Sequence, residues 1–274
     1  MTEKAKEKAA ERVQEEQAPN LQKQIKLDPY KKGDKPKLAI VGCSDSKDLA
    51  PFDNQDYEIW GVNNLFYHIP RYDRWFEIHH ITFDGKDFLR RGSKDFRGQA
   101  VTNYIADLGK MKCPVYMQKQ WPQVPMSAQY PVKKIIDMFG DYFTNTISWM
   151  TALGIWLGFE EIGIWGVDMA VDTEYHWQRP SCEYFIGWFN GMSHALGRDT
   201  KIYIPPTADL MKARYLYGFQ EPEEIAWRQK IAATKKHMNQ KMEKAANAEQ
   251  QQHDLRMQYL GGIQAVREID KIWK

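Results

Sequence analysis

The chain predicts a doubly wound α/β domain on a mostly parallel sheet of about six strands, followed by a long C-terminal helical arm. Three observations carry that expectation. Short apolar runs recur between residues 37 and 205, with helical patterns and short links between them. These runs are apolar almost throughout, as expected of strands covered on both faces. From Glu221 onward nearly every residue is a strong helix former and the strand signals stop. The expected division is a charged tail and linker at 1–36, the α/β domain at 37–220 and the arm at 221–274.

Taken in order, residues 1–27 are rich in Lys, Glu, Gln and Ala, the composition of a solvated helix or a disordered tail. Residues 28–36 (DPYKKGDKP) are turn-rich and read as a linker. KLAIV opens the fold as a strand and runs into GCSDSKDLAP. EIWGVN at 58–63 is a second strand, WFEIH at 75–79 a third and CPVYMQ at 113–118 a fourth. Between the third and fourth, residues 86–109 are helical in outline and carry Arg90, Arg91, Lys94 and Arg97. WPQVPMSAQYP at 121–131 reads as an irregular loop with three prolines, the kind of segment that serves as a lid.

The stretch 141–168 holds the clearest signal. Ile147, Met150, Thr151, Leu153, Gly154 and Leu157 fall on a helical period. Gly158 is placed to stop that helix, and IGIWGV is a buried strand that emerges at Asp168. A polar loop follows, with Asp172, Glu174, Tyr175, His176, Gln178 and Arg179. Pro180 suits the first turn of the next helix. KIYI at 201–204 is a last strand. The arm reads as one long helix with a candidate break at Gly261-Gly262; its apolar positions are too sparse to define a heptad zipper, and forming a homo-oligomer is one role open to it.

Composition narrows the function classes. The chain is 43% hydrophobic and 27% charged, with net charge +2, which neither demands nor excludes nucleic acid. No apolar run reaches the ~18–20 residues of a membrane span, and MTEKAKEKAAERVQEEQ lacks the apolar core of a secretory signal. Cys43, Cys113 and Cys182 are odd in number and have no metal-ligand spacing, which points to reduced thiols and a cytoplasmic setting.

Three strands end in polar groups: Gly42-Cys43-Ser44, Asn63-Asn64 and His79-His80. Asp168 ends a fourth. In open α/β sheets ligands bind beyond the carboxyl ends of the strands, so these endings form a candidate site rim. The loop with Gly42, Ser44, Asp45 and Ser46 follows a strand, as phosphate-cradling loops do, yet it is neither GxGxxG nor a P-loop.

The order of hydroxyl-rich loop, helix, LGF-x-EI, strand and GVD resembles the core of bacterial sialyltransferases that use CMP-sialic acid. It is also similar to MptE-type pterin pyrophosphokinases and motility-associated glycosyltransferases. AIVGCSDS, GVNN and IYIPPTADLMKA match those families in order and character, with few identities. The first loop lacks their second glycine and their proline, and Ala170 stands where an aromatic residue is common. The resemblance implies a Rossmann-like fold, a nucleotide-sugar donor, Tyr175 near the donor phosphate and His176 as the catalytic base. The layout of tail, core and arm also resembles proteins of tailed phages, whose modified DNA is a known glycosyl acceptor; such a protein would work in the host cytoplasm.

The expected activity is transfer of a sugar from a nucleotide-activated donor. Gly42, Ser44, Asp45, Ser46, Asn63 and Asn64 would hold the nucleotide. Thr144, Asn145, Thr146 and Ser148 would lie near phosphate and sugar, and Tyr175, Gln178 and Arg179 near the leaving phosphate. His176, His79 or His80 would take the acceptor's proton, with Asp168 orienting the base or holding the acceptor. The absence of a DxD motif favours transfer with no required cofactor. Asp168 with Asp172 is the pair for Mg²⁺ that pyrophosphokinase chemistry would need. The other class that fits is a non-catalytic nucleotide-binding or assembly protein.

Overall fold

The computed structural model describes residues 28–79, 104–169, 175–213, 217–218 and 221–272. Its centre is a six-stranded sheet, and every neighbouring pair of strands is parallel. The strands are β1 (Lys37–Val41), β2 (Tyr57–Val62), β3 (Arg74–Phe76), β4 (Val115–Met117), β5 (Ser127–Gln129) and β6 (Glu161–Trp165). Their spatial order is β5-β4-β3-β2-β1-β6. The chain therefore steps outward from β1 to β5, then returns to lay β6 on the other side of β1. The described helices are α1 (Tyr104–Leu108), α2 (Val132–Phe139), α3 (Thr146–Trp156), α4 (Tyr175–Ala195) and α5 (Glu221–Ile272).

Both faces of the sheet are covered, which is why its strands read as apolar throughout. Leu38, Ile40, Trp60, Phe76 and Ile164 pack against α2, α3 and α4 through Ile135, Leu153 and Phe185. Ala39, Val41, Ile59, Trp75 and Val115 pack on the opposite face against Tyr104, Ile105 and Leu108 of α1. α3 lies directly on β1: a β-carbon added at Gly154 would stand 2.5 Å from Leu38 Cδ2, so the glycine leaves the space that the Leu38 methyl fills. That helix ends as its sequence predicts. Gly158 takes φ +85°, and the bonds Phe159 N to Gly154 O (3.1 Å) and Gly158 N to Ile155 O (3.0 Å) close a Schellman turn.

Several elements differ from the sequence reading. The segment 121–131 contains β5, which pairs with β4 in register Val115 to Ser127. Three residues flanked by prolines are too short for a periodic signal. β3 stops at Phe76, so His79 lies beyond the ladder. KIYI contributes only a bridge, in which Tyr203 exchanges bonds of 2.8 and 2.9 Å with Ile164 and Ile162 on the outer side of β6. α4 begins at Tyr175 and carries Pro180 inside it, where the proline forfeits a bond to the His176 carbonyl. The basic cluster from Arg90 to Arg97 lies outside the described residues.

The expected linker is tied down. Arg74 is fully buried and pairs with buried Glu58. Its Nη1 donates to Asp28 O (3.0 Å), Pro29 O (3.2 Å) and Tyr116 Oη (2.8 Å), and Nη2 donates to Lys31 O (2.6 Å). A buried guanidinium needs all of these acceptors, so residues 28–31 are held against the amino-terminal edge of the sheet.

The chain divides into two compact units, Met1–Lys212 and Ala213–Lys274. The second is dominated by α5, a 52-residue helix that runs unbroken through Gly261 and Gly262. Among the described residues no helix is long and apolar enough to cross a membrane.

Removing one partner of a buried ion pair strands the other charge, at a cost of about 3–5 kcal/mol. Arg74→Leu should lower the urea midpoint of unfolding by a corresponding amount. The double variant Arg74→Leu/Glu58→Leu should recover part of the loss. Equal stability of Arg74→Leu and the parent would show that the network carries no weight.

Candidate functional site

Strand succession reverses between β1 and β6, and the carboxyl ends of these two strands are locked together. Gly42 N donates to Trp165 O (2.8 Å) and Ser44 N to Gly166 O (2.9 Å). A β-carbon at Gly42 would stand 2.4 Å from Gly166 O, and one at Gly166 would stand 2.3 Å from Gly42 O. Gly166 also takes φ +65°. Only a glycine pair permits this approach.

The contact brings Ser46 to Asp168. Ser46 opens the short 3-10 turn Asp45–Leu49 from within and is buried. Its hydroxyl accepts from Gly166 N (2.9 Å) and donates to Asp168 Oδ1. Asp168 is further fixed through its carbonyl, which accepts from Asp209 N (3.0 Å). Burial raises the Asp168 carboxyl above the ordinary carboxylate range. The Ser46 donor and the Lys212 charge pull it back, while Asp45 adds to the rise. Lys212 donates to Pro205 O (2.9 Å) and Ala208 O (2.6 Å), and burial lowers its ammonium against the pull of Asp168.

The neighbouring strand ends are polar as well. Asn63 takes φ +55°, with its N–H on Phe76 O (3.0 Å) and its carbonyl accepting from Trp75 Nε1 (2.8 Å). Its enclosed Oδ1 has no hydrogen-bond partner among the described residues. Asn64 is buried and stands at the N-cap position of the short 3-10 turn Leu65–Tyr67, with no capping bond from its side chain. Beyond β3, Glu77 is fully buried, with Tyr104 Oη donating to one carboxylate oxygen. The other oxygen lies 2.7 Å from His79 Nδ1, and the His79 side chain is 39% exposed. A buried carboxylate that fixes an accessible imidazole is the arrangement that orients a general base. His80 lies outside the described residues.

Among the other expected contacts, Thr144, Asn145, Ser148, Gln178 and Arg179 bond to other parts of the protein. Asn145 caps α3 by accepting from Ser148 N (2.9 Å), and its Nδ2 donates to Gln178 O (2.9 Å). Thr144 Oγ1 lies 3.4 Å from the same carbonyl, and Thr146 is the first residue of α3. Ser148 is fully buried, with its hydroxyl 2.8 Å from Ser181 Oγ. Burial pushes the adjoining Cys182 thiol up to about 12. Arg179 binds Glu183 (2.8 Å) and the carbonyls of Asp209 (3.0 Å) and Lys212 (3.1 Å), which ties α4 to the loop after Tyr203. Tyr175 opens α4, and His176 follows it on an exposed turn with its ring 5.5 Å from that of Trp177. Asp168 is bonded to Ser46, and the carboxylate that contacts an imidazole at this edge is Glu77, at His79.

Glu77, Tyr104 and Lys212 were absent from the sequence-level site. WFEIH does hold a signal for the first, because residues two apart in extended backbone point the same way. Among the described residues no group of three or more His, Cys, Asp or Glu converges as metal ligands would, and Asp172 lies outside them. Comparison with protein-family models, curated proteins and solved structures gives no match. The fold places the chain in a class all the same: a Rossmann-like, all-parallel α/β protein with a polar rim at its topological switch point.

Because the folded chain holds the Asp168 proton more tightly than the unfolded chain, the stability linked to it is present at low pH. That stability is lost as pH rises through the raised folded-state value. Asp168→Asn should therefore melt above the parent at neutral pH, with the gap closing on acidification. Thermal melts of both proteins across the acid range check the sign.

Proposed function

We propose that this chain is a glycosyltransferase that takes a sugar from a nucleotide-activated donor bound over the carboxyl edge of the sheet. The observation that carries the reading is the convergence of Ser46, Asp168 and Lys212 at the β1/β6 reversal, with the Glu77–His79 dyad on the same edge. With strands about 4.8 Å apart, β6 and β3 are separated by about 14 Å, so the two groups flank an elongated ligand.

The Gly42–Ser46 loop and Asn63-Asn64 lie on the nucleotide side of this edge. In the transfer step the acceptor oxygen forms a bond to the anomeric carbon as the bond from that carbon to the donor phosphate breaks. The nucleotide leaves with the bonding electrons, and its charge is met by Lys212. The acceptor's proton passes to His79, whose imidazolium Glu77 stabilises. His79 is favoured over His176 as the base because only His79 has a buried carboxylate behind it. The resemblance to phage proteins makes a hydroxyl on modified DNA the acceptor of first choice.

Ligand that binds only the folded state stabilises it, by about 2.7 kcal/mol at a hundredfold excess over Kd. CMP, CDP or UDP at millimolar concentration should raise the melting temperature, and the base that works best names the donor class. No shift with any of them favours the assembly-protein reading and removes the transferase. Where transfer is detected, His79→Ala should cut kcat by ~10²–10⁴-fold while the nucleotide-induced melting shift stays. Near-parental turnover would exclude His79 as the base.

A further inference from the structure

Tyr67 closes the short 3-10 turn that follows Asn63-Asn64 at the carboxyl end of β2. β2 lies between β1, whose end leads to Ser46, and β3, whose end leads to the Glu77–His79 dyad. Each neighbour is one strand spacing away, about 4.8 Å. A surface tyrosine ordinarily lays its ring on the protein and leaves its hydroxyl to water. Tyr67 instead donates its hydroxyl to Asp107 Oδ2 on α1 (2.6 Å), and Lys110 Nζ donates to the other oxygen of that carboxylate (2.7 Å). The residue is 41% exposed all the same. Burial, and after it the Asp107 carboxylate, raises the phenol above its ordinary range, so the ring stays neutral.

A second ring backs the first. Phe66 lies 4.2 Å from Tyr67 between ring centroids, tilted by 43°. Phe66 packs edge-on against Trp75 (5.4 Å) and stacks on Tyr104 (5.8 Å, 22°), the residue whose hydroxyl holds Glu77. One run of contacts, Tyr67–Phe66–Tyr104–Glu77–His79, therefore ties an accessible aromatic ring to the imidazole. A ring fixed at its hydroxyl and backed by a neighbour loses little freedom when a ligand settles on it.

We propose that Tyr67 is a stacking platform for a nucleobase, a role that rests on the reading of this edge as a nucleotide site. Every base has a π-face, so a neutral aromatic ring accepts any of them. The base belongs either to the nucleotide donor or to an unpaired position in a nucleic-acid acceptor, and the same ring contact serves both. The hydroxyl is committed to Asp107, so the platform works through the ring alone.

The full chain is titrated with AMP, CMP and UMP by calorimetry, and with fluorescein-labelled octathymidylate by anisotropy. In Tyr67→Leu, a ligand that uses the platform should bind about 5- to 150-fold more weakly, the worth of one base–aromatic stack. Tyr67→Phe gives up the bond to Asp107 yet keeps the ring, and its affinities should stay close to the parent's. Weakened mononucleotide binding makes the stacked group the donor's base. Loss confined to the oligonucleotide makes it an acceptor base. Parental affinity of Tyr67→Leu for every ligand that the parent binds overturns the platform and leaves the nucleotide site standing. Equal losses in Tyr67→Leu and Tyr67→Phe assign the effect to the Asp107 bond and overturn the platform as well. A parent that binds none of these ligands overturns both the platform and the nucleotide site.

Discussion

The backbone approach of Gly42 to Gly166 sets the geometry of everything at the carboxyl edge of the sheet. β1 and β6 are more than a hundred residues apart in sequence, yet their ends share two backbone hydrogen bonds and leave no room for a β-carbon on either side. That closeness turns Ser46 inward, so its hydroxyl caps Gly166 N and reaches Asp168. Within the candidate phosphate loop, Ser46 aims the Asp168 carboxyl, and any ligand at this edge meets Asp168 on a rigid base.

The two edges of the sheet handle buried charge in opposite ways. At the amino-terminal edge, Arg74 finds a carboxylate, a phenol and three backbone carbonyls, and it closes the fold over residues 28–31. At the carboxyl edge, Asp168 takes donors from the hydroxyl and the backbone of Ser46 yet burial still raises its carboxyl, Asn63 is held at positive φ with an unmet oxygen, and Met169 also takes φ +46°. The Glu77–His79 dyad sits on that same edge, with Tyr104 holding the far oxygen of the acid.

The arm follows different rules. A 52-residue helix with apolar side chains in solvent gains little from propensity alone.

The sequence by itself determined the class of fold. Apolar strand runs, helical periods and the change of composition at Glu221 are local signals, and a sheet covered on both faces leaves them plainly written. It also determined where α3 would stop, since Gly158 alone tolerates the required φ. Strand-end chemistry was legible as a set of candidates: Gly42, Asn63, His79 and Asp168. Tertiary structure decided their roles, because these depend on contacts between segments distant in the chain. Ser148, Asn145 and Arg179 look like ligand contacts in a linear reading, and only the packing of α3 on α4 and on the loop after Tyr203 shows them bonded to protein. Tyr104 reaches Glu77 from 27 residues away and Lys212 biases Asp168 from 44, and no local period records either pairing.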